Sequence, residues 1–407
     1  IPNPQYLNYF IKKKSIHLLT NNLIFSELFK RMINKCIFVF ILSVIQVFII
    51  KGKNNSIFDE KNINNEFKHI SIKPELSNVK YIGRYLIKED ITYLLQSGSA
   101  IEFYLNAKSA EIVLAGDGFS IYHEEYEKPR YAIYVNDNIL LDTTMGEREK
   151  TVLLFNNEKE LEIKIKVILL SEAIFGGIGI KTINVISSDS NNKVIRPTEK
   201  KKISIEYIGD SITCAYGIEA KAPSEYFETK TQNFEKSYAF LASKELDYDY
   251  SVICYSGCGI ISTGNIMSQR YTKINYFSDT NNEWDFSKHH NDIIVINLGT
   301  NDFGYVWGFR IDEYVEKYAD FLKLVREKNP DSHIICLLGM MGCEDLFPLI
   351  NEAINLTGDK KIYSFLLPAQ RIEDGIGAEY HPNVVSHAKW GKLVAKIIKD
   401  IIEDNSD

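Results

Sequence analysis

Tyr207-Ile208-Gly209-Asp210-Ser211-Ile212-Thr213 closes an apolar run over 203–208 with a glycine, an acid and a serine. A continuous apolar run of that length, bounded by turn residues, reads as a strand buried on both faces. Gly209 permits a tight turn and Asp210 can hydrogen-bond the turn backbone. Ser211 then stands where a helix would begin, with its amide free and the helix dipole favouring negative charge. That placement suits a nucleophile beside an oxyanion donor. A serine that merely caps the helix fits the same letters, and for a lone Gly-Asp-Ser that plainer reading is the better one.

Outward from this stretch the pattern repeats. Continuous apolar strands are expected over 203–208, 250–254, 293–298, 333–338 and 362–367, and amphipathic helices over 237–246, 312–328, 344–356 and 384–403. Strands of this kind alternating with helices imply a parallel sheet covered on both faces, a three-layer α/β/α domain over 203–407. In such sheets chemistry gathers beyond the carboxyl ends of the strands.

The preceding part has another period. Ala100-Ile101-Glu102-Phe103-Tyr104-Leu105, Ala110-Glu111-Ile112-Val113-Leu114, Tyr131-Ala132-Ile133-Tyr134-Val135 and 161–167 alternate apolar with polar residues. Such short runs, with Gly, Asn and Asp between them and a hairpin turn at Asn136-Asp137-Asn138, suggest an all-β sandwich of the jelly-roll kind over 61–190. Residues 191–202, polar and charged, are expected to link the two domains. The chain thus combines α/β and all-β parts. Its 407 residues match two domains plus extra sequence at about 150 residues each.

The extra sequence is the first sixty residues. Lys30-Arg31-Met32 precedes an apolar run over 36–50 broken only by Ser43 and Gln46, which is a signal-peptide pattern and short for a membrane span of about 20 residues. Translation is expected to start at Met32, the leader to occupy 1–60, and the protein to be secreted. An uncleaved signal anchor is the alternative. The net charge of −7 excludes a mainly nucleic-acid-binding chain, which would carry a basic footprint. Of six cysteines, Cys36 falls in the signal-like run, and Cys254 and Cys336 read as small buried hydrophobes. Cys254 and Cys258 have no second pair at zinc spacing, so neither a metal nor a cofactor is expected.

Three further blocks fall at strand ends or in a late loop: Tyr255-Ser256-Gly257-Cys258-Gly259, Leu298-Gly299-Thr300-Asn301-Asp302 and His381-Pro382-Asn383. With Ser211 they give the order Ser, Gly, Asn, His, and together they resemble the SGNH, or GDSL-type, hydrolase superfamily. A β-sandwich ahead of such a domain resembles carbohydrate esterase family 2. So do Val79-Lys80-Tyr81-Ile82-Gly83-Arg84, Ser97-Gly98-Ser99-Ala100-Ile101-Glu102-Phe103, 209–217 and Glu379-Tyr380-His381-Pro382-Asn383. The resemblance implies a flavodoxin-like hydrolase domain and deacetylation of plant polysaccharides such as xylan and glucomannan.

Chemistry and resemblance together assign the roles. Ser211 would attack the acetyl carbonyl, with His381 as general base and later as acid. The amides of Ser211 and Gly257 and the side chain of Asn301 would hold the oxyanion, with Gly259 the alternative to Gly257. Each such donor is worth about 3–4 kcal/mol in the transition state. The third triad position is Ala378 by the superfamily's spacing and Glu379 by the esterase family's. Either the Glu379 carboxylate orients His381, which is the reading preferred, or a backbone carbonyl does so and the pair works as a dyad. His387 reads as a packed helical residue, His289 and His290 as surface, and Asp302 as a brace for its loop. Tyr216, Tyr305 and Trp307 could line a sugar platform or simply pack.

The expected protein is therefore a monomeric serine esterase acting on acetylated polysaccharide or oligosaccharide. It has no nucleic-acid partner, and a membrane contact only if the signal-like segment stays. An esterase for another acylated glycan or lipid, and a carbohydrate-binding protein with little catalysis, are the alternatives.

Overall fold

Beyond Gly209 lies the carboxyl edge of a five-stranded parallel sheet, and every Ser, Gly and Asn block leaves the sheet on that edge. The computed structural model describes residues 67–189, 194–262, 264–275, 283–306 and 310–404. The signal-like segment, the start at Met32 and the beginning of the expected linker lie outside the described residues.

The first ten strands are Lys68–Ile72 (β1), Lys80–Ile82 (β2), Tyr85–Lys88 (β3), Ile91–Leu94 (β4), Ala100–Gly116 (β5), Arg130–Val135 (β6), Asn138–Thr144 (β7), Glu149–Leu169 (β8), Ile178–Ser187 (β9) and Ile195–Pro197 (β10). They form one antiparallel sheet ordered β3-β4-β9-β5-β8-β6-β7, with β1 on β9 and both β2 and β10 on β5. The runs at 100–105 and 110–114 are one strand, not two. β5 and β8 stay paired through register shifts at Ala107/Ser109 and Ala110/Glu111. Bulges of that kind bend a strand and raise its twist. Alternate side chains of both strands, Ile101, Phe103, Leu105, Ile163, Ile165 and Val167 among them, meet Ile112, Leu114, Ile180 and Ile183 in one core. The turn between β6 and β7 has Asn136 and Asp137 at φ 49 and 63, the primed hairpin geometry that twisted strands favour. Within the stretch expected as a linker, Ile195–Pro197 pairs with Phe103–Leu105 as a sheet strand.

The remaining strands are Ser204–Gly209 (β11), Asp249–Cys254 (β12), Ile293–Asn297 (β13), His333–Leu338 (β14) and Ile362–Leu366 (β15), all parallel, in the order β12-β11-β13-β14-β15. This is the doubly wound order whose switch point lies between the first and third strands, here β11 and β13. Alternation along each strand sends side chains to opposite layers. Ile208, Ile253, Ile296, Ile334 and Leu338 pack on the helices Ile311–Lys328 and Phe347–Thr357. Tyr207, Val252, Val295 and Ile335 pack on Tyr238–Leu246 and Val384–Asp404.

The described residues between 67 and 404 belong to one compact unit that holds both sheets. Glu206 shows why. It sits fully buried in the apolar strand β11, and a buried carboxylate needs a partner. Arg84, between β2 and β3 of the other sheet, supplies it at 3.0 Å with both side chains inaccessible to solvent. Arg84 also donates to the carbonyls of Tyr271 and Lys273. Lys80 meets Asp249 at 2.5 Å, and Lys166 meets Glu235 at 2.7 Å, across the same boundary. No helix among the described residues is long and apolar enough to cross a membrane.

Candidate active site

Ser211 follows β11 directly, but not at a helix start. Residues 211–219 form consecutive turns, closed by Cys214 N to Asp210 O at 3.0 Å and Tyr216 N to Ser211 O at 3.0 Å. Ala215 at φ 63 interrupts any helical run. Local turn hydrogen bonds, not a helix dipole, therefore set the position of Ser211. Asp210 is wholly buried and accepts from the amide of Ile212 at 3.0 Å, which fixes the turn, and among the described residues the Ser211 amide has no acceptor. Burial pushes the Asp210 carboxyl up to about 7, and the charges of Asp302 and Glu172 add to it.

His381 arrives from the far end of the chain. Its Nε2 lies 2.9 Å from Ser211 Oγ, across 170 sequence positions. The loop carrying it is pinned at both sides. Gly377 N donates to His381 O at 2.7 Å, and Asn383 caps the last helix by accepting from Val385 N and Ser386 N. Burial lowers the tendency of His381 to protonate, against hydrogen bonds to Glu379 and Ala378 carbonyls that raise it.

The orienting partner differs from the one preferred on sequence. His381 Nδ1 lies 3.2 Å from the backbone oxygen of Glu379. The Glu379 carboxylate turns away, accepting from Tyr216 Oη at 2.9 Å and Phe227 N at 3.4 Å. The cause is in the backbone: Glu379 and Tyr380 are left-handed, at φ 48 and 64, which turns the Glu379 carbonyl toward the ring. Ala378, the superfamily's acid position, is fully buried, with its Cβ 2.4 Å from where a Cβ on Gly217 would stand.

Gly257 and Gly259 are distinguishable. The Gly259 amide donates to Asn265 O at 3.0 Å and is spent. Gly257 is exposed, at φ +74, a conformation that suits glycine, and among the described residues its amide has no acceptor. Asn301 follows β13 after Gly299, whose φ of +133 excludes other residues, since an added Cβ would stand 2.8 Å from Leu338. The Asn301 amide donates to Cys258 O at 2.9 Å and to Asp210 Oδ2 at 3.2 Å. Asp302 braces the neighbouring block rather than its own loop, accepting from Ile260 N at 2.9 Å and Ile261 N at 2.7 Å.

Tyr216 lies beside His381. Its ring centroid is 4.4 Å from that of His381 and 4.0 Å from Phe227, which stacks in turn on Phe175 at 5.0 Å. Phe227 and Phe175 were not legible as site residues. The side chain of Tyr305 and the whole of Trp307 lie outside the described residues. His387 is buried, accepts from Tyr238 N at 3.1 Å, and is pushed down to about 3 by that burial, so it packs rather than titrates near neutrality. His290 is exposed, but His289 is half-buried against Trp284 at 4.6 Å. Cys254 is not a free hydrophobe: it forms a disulfide with Cys214, joining the serine turn to the strand that leads to Gly257. Cys258, Cys336 and Cys343 are free thiols. No group of three His, Cys, Asp or Glu side chains among the described residues could hold a metal.

Glu172 is a further residue of this site. It is wholly buried and accepts from Ser256 N at 2.7 Å and Ser256 Oγ at 2.5 Å. Nothing in Ser171-Glu172-Ala173 marks it, because its partner lies 84 positions away.

Residues 207–388 match the GDSL-like Lipase/Acylhydrolase family. Cellulase/esterase CelE of Acetivibrio thermocellus is 33% identical over 217 residues, half of this chain and 26% of that protein. An acetylxylan esterase / glucomannan deacetylase of Cellvibrio japonicus is 24% identical over 280 residues, 64% of this chain and 73% of that one. A family two carbohydrate esterase from Clostridium thermocellum, solved in complex with cellohexaose, superposes with a TM-score of 0.71 at 26% identity, over 80% of this chain and 99% of that one. The chain spans only about a quarter of the first of these relatives. The fold, the blocks at the sheet edge and these likenesses agree: residues 207–388 match the GDSL-like Lipase/Acylhydrolase family, and family two carbohydrate esterases are among the structural neighbours of the chain.

Proposed function

We propose that this chain is a secreted serine esterase that removes O-acetyl groups from plant cell-wall polysaccharides such as xylan or glucomannan. The observation that carries the reading is the 2.9 Å contact between Ser211 Oγ and His381 Nε2, with the unengaged amides of Ser211 and Gly257 at the same strand edge. His381 takes the Ser211 proton as Oγ bonds to the acetyl carbon. The carbonyl oxygen becomes an oxyanion held by the two amides, and Asn301 turns its longer hydrogen bond, the one to Asp210, toward it. Collapse returns the proton from Nε2 to the leaving sugar oxygen and leaves an acetyl-serine. Water, deprotonated by the same imidazole, releases acetate. The Glu379 carbonyl holds the ring throughout, so the pair is a dyad with a main-chain orienter.

The stack of Tyr216, Phe227 and Phe175 beside His381 offers a sugar ring apolar ring edges near the nucleophile. The Cys214–Cys254 disulfide agrees with an oxidising, extracellular setting and with the signal-like segment. The antiparallel half, read as a jelly-roll sandwich, braces the hydrolase half in a monomer. Acetate release from acetylated xylan tests the reading. Ser211→Ala is expected to lower it at least about a thousandfold with an unchanged circular dichroism spectrum. Undiminished release would remove Ser211 from the mechanism.

A further inference from the structure

The Gly257 amide can serve an oxyanion only if the turn Tyr255-Ser256-Gly257 keeps one shape, because the amide plane is set by the residue before it. Ser256 is held from outside the hydrolase half. Glu172, between β8 and β9 of the antiparallel sheet, takes the Ser256 amide on Oε2 at 2.7 Å and its hydroxyl on Oε1 at 2.5 Å. Gln232 locks the carboxylate in turn, donating to Oε1 at 3.2 Å and accepting from the Glu172 amide at 3.1 Å. The same Gln232 amide reaches the carbonyl of Cys214 at 3.1 Å, in the turn that carries Ser211. Cys214 is bridged to Cys254, two residues before Ser256. A closed ring of contacts therefore runs from the serine turn through Gln232 and Glu172 to the glycine turn and back through the disulfide.

None of the hydrogen-bond partners of Glu172 is a cation, and burial alone pushes its carboxyl upward from the ordinary range. A fully buried carboxylate with neutral partners is costly to keep. A hydrophobic residue would fill the same boundary at lower cost but would leave the Ser256 amide free to swing.

We propose that Glu172 is a positioning residue for the oxyanion turn, so that the antiparallel half completes the catalytic site of the other half. The inference rests on the esterase reading above. Its test uses the full chain as Glu172→Ala, Glu172→Gln and Ser256→Ala with 4-nitrophenyl acetate, at a folded fraction fixed by near-ultraviolet circular dichroism. Per folded molecule, Glu172→Ala should lose at least about tenfold in kcat with KM within about threefold, a part of the 10²–10³ carried by one oxyanion donor. Glu172→Gln keeps one acceptor and should recover part of that loss. Ser256→Ala keeps the amide bond and should fall less than about fivefold. Hydrogen exchange over 254–259 should quicken in both Glu172 variants while β13 stays protected. A folded Glu172→Ala with kcat within twofold of the parent, or unchanged exchange over 254–259, would overturn the proposal. If the parent cleaves no ester, the esterase reading fails, and the exchange arm still decides whether Glu172 holds the turn.

Discussion

His381 presents Nδ1 to a main-chain oxygen, and this changes what its neighbours are worth. A triad acid, when removed, costs about 10⁴ in kcat because the imidazole loses its tautomer and its charge partner. The Glu379 carboxylate makes no such contact, so Glu379→Gln should keep kcat within about threefold, with the Tyr216 contact preserved. A loss of a hundredfold or more would restore the carboxylate to the triad. The pH profile follows from the same ring. His381 must be neutral to accept a proton, and burial holds it below the ordinary 6.5. The acid limb of kcat/KM should therefore have its midpoint below 6.5, with activity kept as pH falls from 8 to 6.5 and lost only beneath that. A midpoint above 6.5 would mean that a charge, not burial, governs the ring. Ser211, Gly257, Asn301 and His381 could be picked out in the sequence because each sits in a block with its own turn chemistry. The Glu379 carbonyl could not, because main-chain acceptors leave no letter and consecutive left-handed residues such as Glu379 and Tyr380 have no dependable sequence signal.

At the scale of elements, the five strands of the parallel sheet and its four long helices were readable, each within three residues, because their apolar periods are sustained. What failed to show were elements set by long-range contact. The serine turn is not helical, since Ala215 must turn left-handed to bring Tyr216 beside His381. β10 is too short to carry a period, and its place is fixed by Leu105, Tyr104 and Phe103. The Cys214–Cys254 disulfide closes a loop spanning 40 positions that begins just after the Ser211 turn, and loop-closure entropy sets its worth at about 4 kcal/mol. Cys214→Ala with Cys254→Ala should lower the unfolding free energy by about 2–4 kcal/mol in urea titration. Unchanged stability, equal to that of the parent under reducing conditions, would show that the bridge does not form in solution.

Across the whole molecule, the boundary between the halves holds side chains that neither half could bury alone. Composition gave no hint of it: Glu206 lies inside an apolar strand, and Arg84 lies 122 positions earlier. Arg84→Met would leave Glu206, among the described residues, with Tyr271 Oη at 3.1 Å and Ser251 Oγ at 3.4 Å, and removing one partner of a buried pair costs about 3–5 kcal/mol. Adding Glu206→Gln should return much of that loss, and calorimetry should show a single transition for both halves throughout. Two separated transitions in the parent would mean that the halves fold independently. The central claim is that Ser211 is a nucleophile activated by His381, and covalent trapping tests it most directly. A small fluorophosphonate should add one phosphonyl group per chain, mapped by mass spectrometry to the peptide containing Ser211, in step with loss of ester hydrolysis, and should add none to His381→Ala. Stoichiometric labelling at another residue, or labelling of Ser211 without loss of activity, would contradict the account.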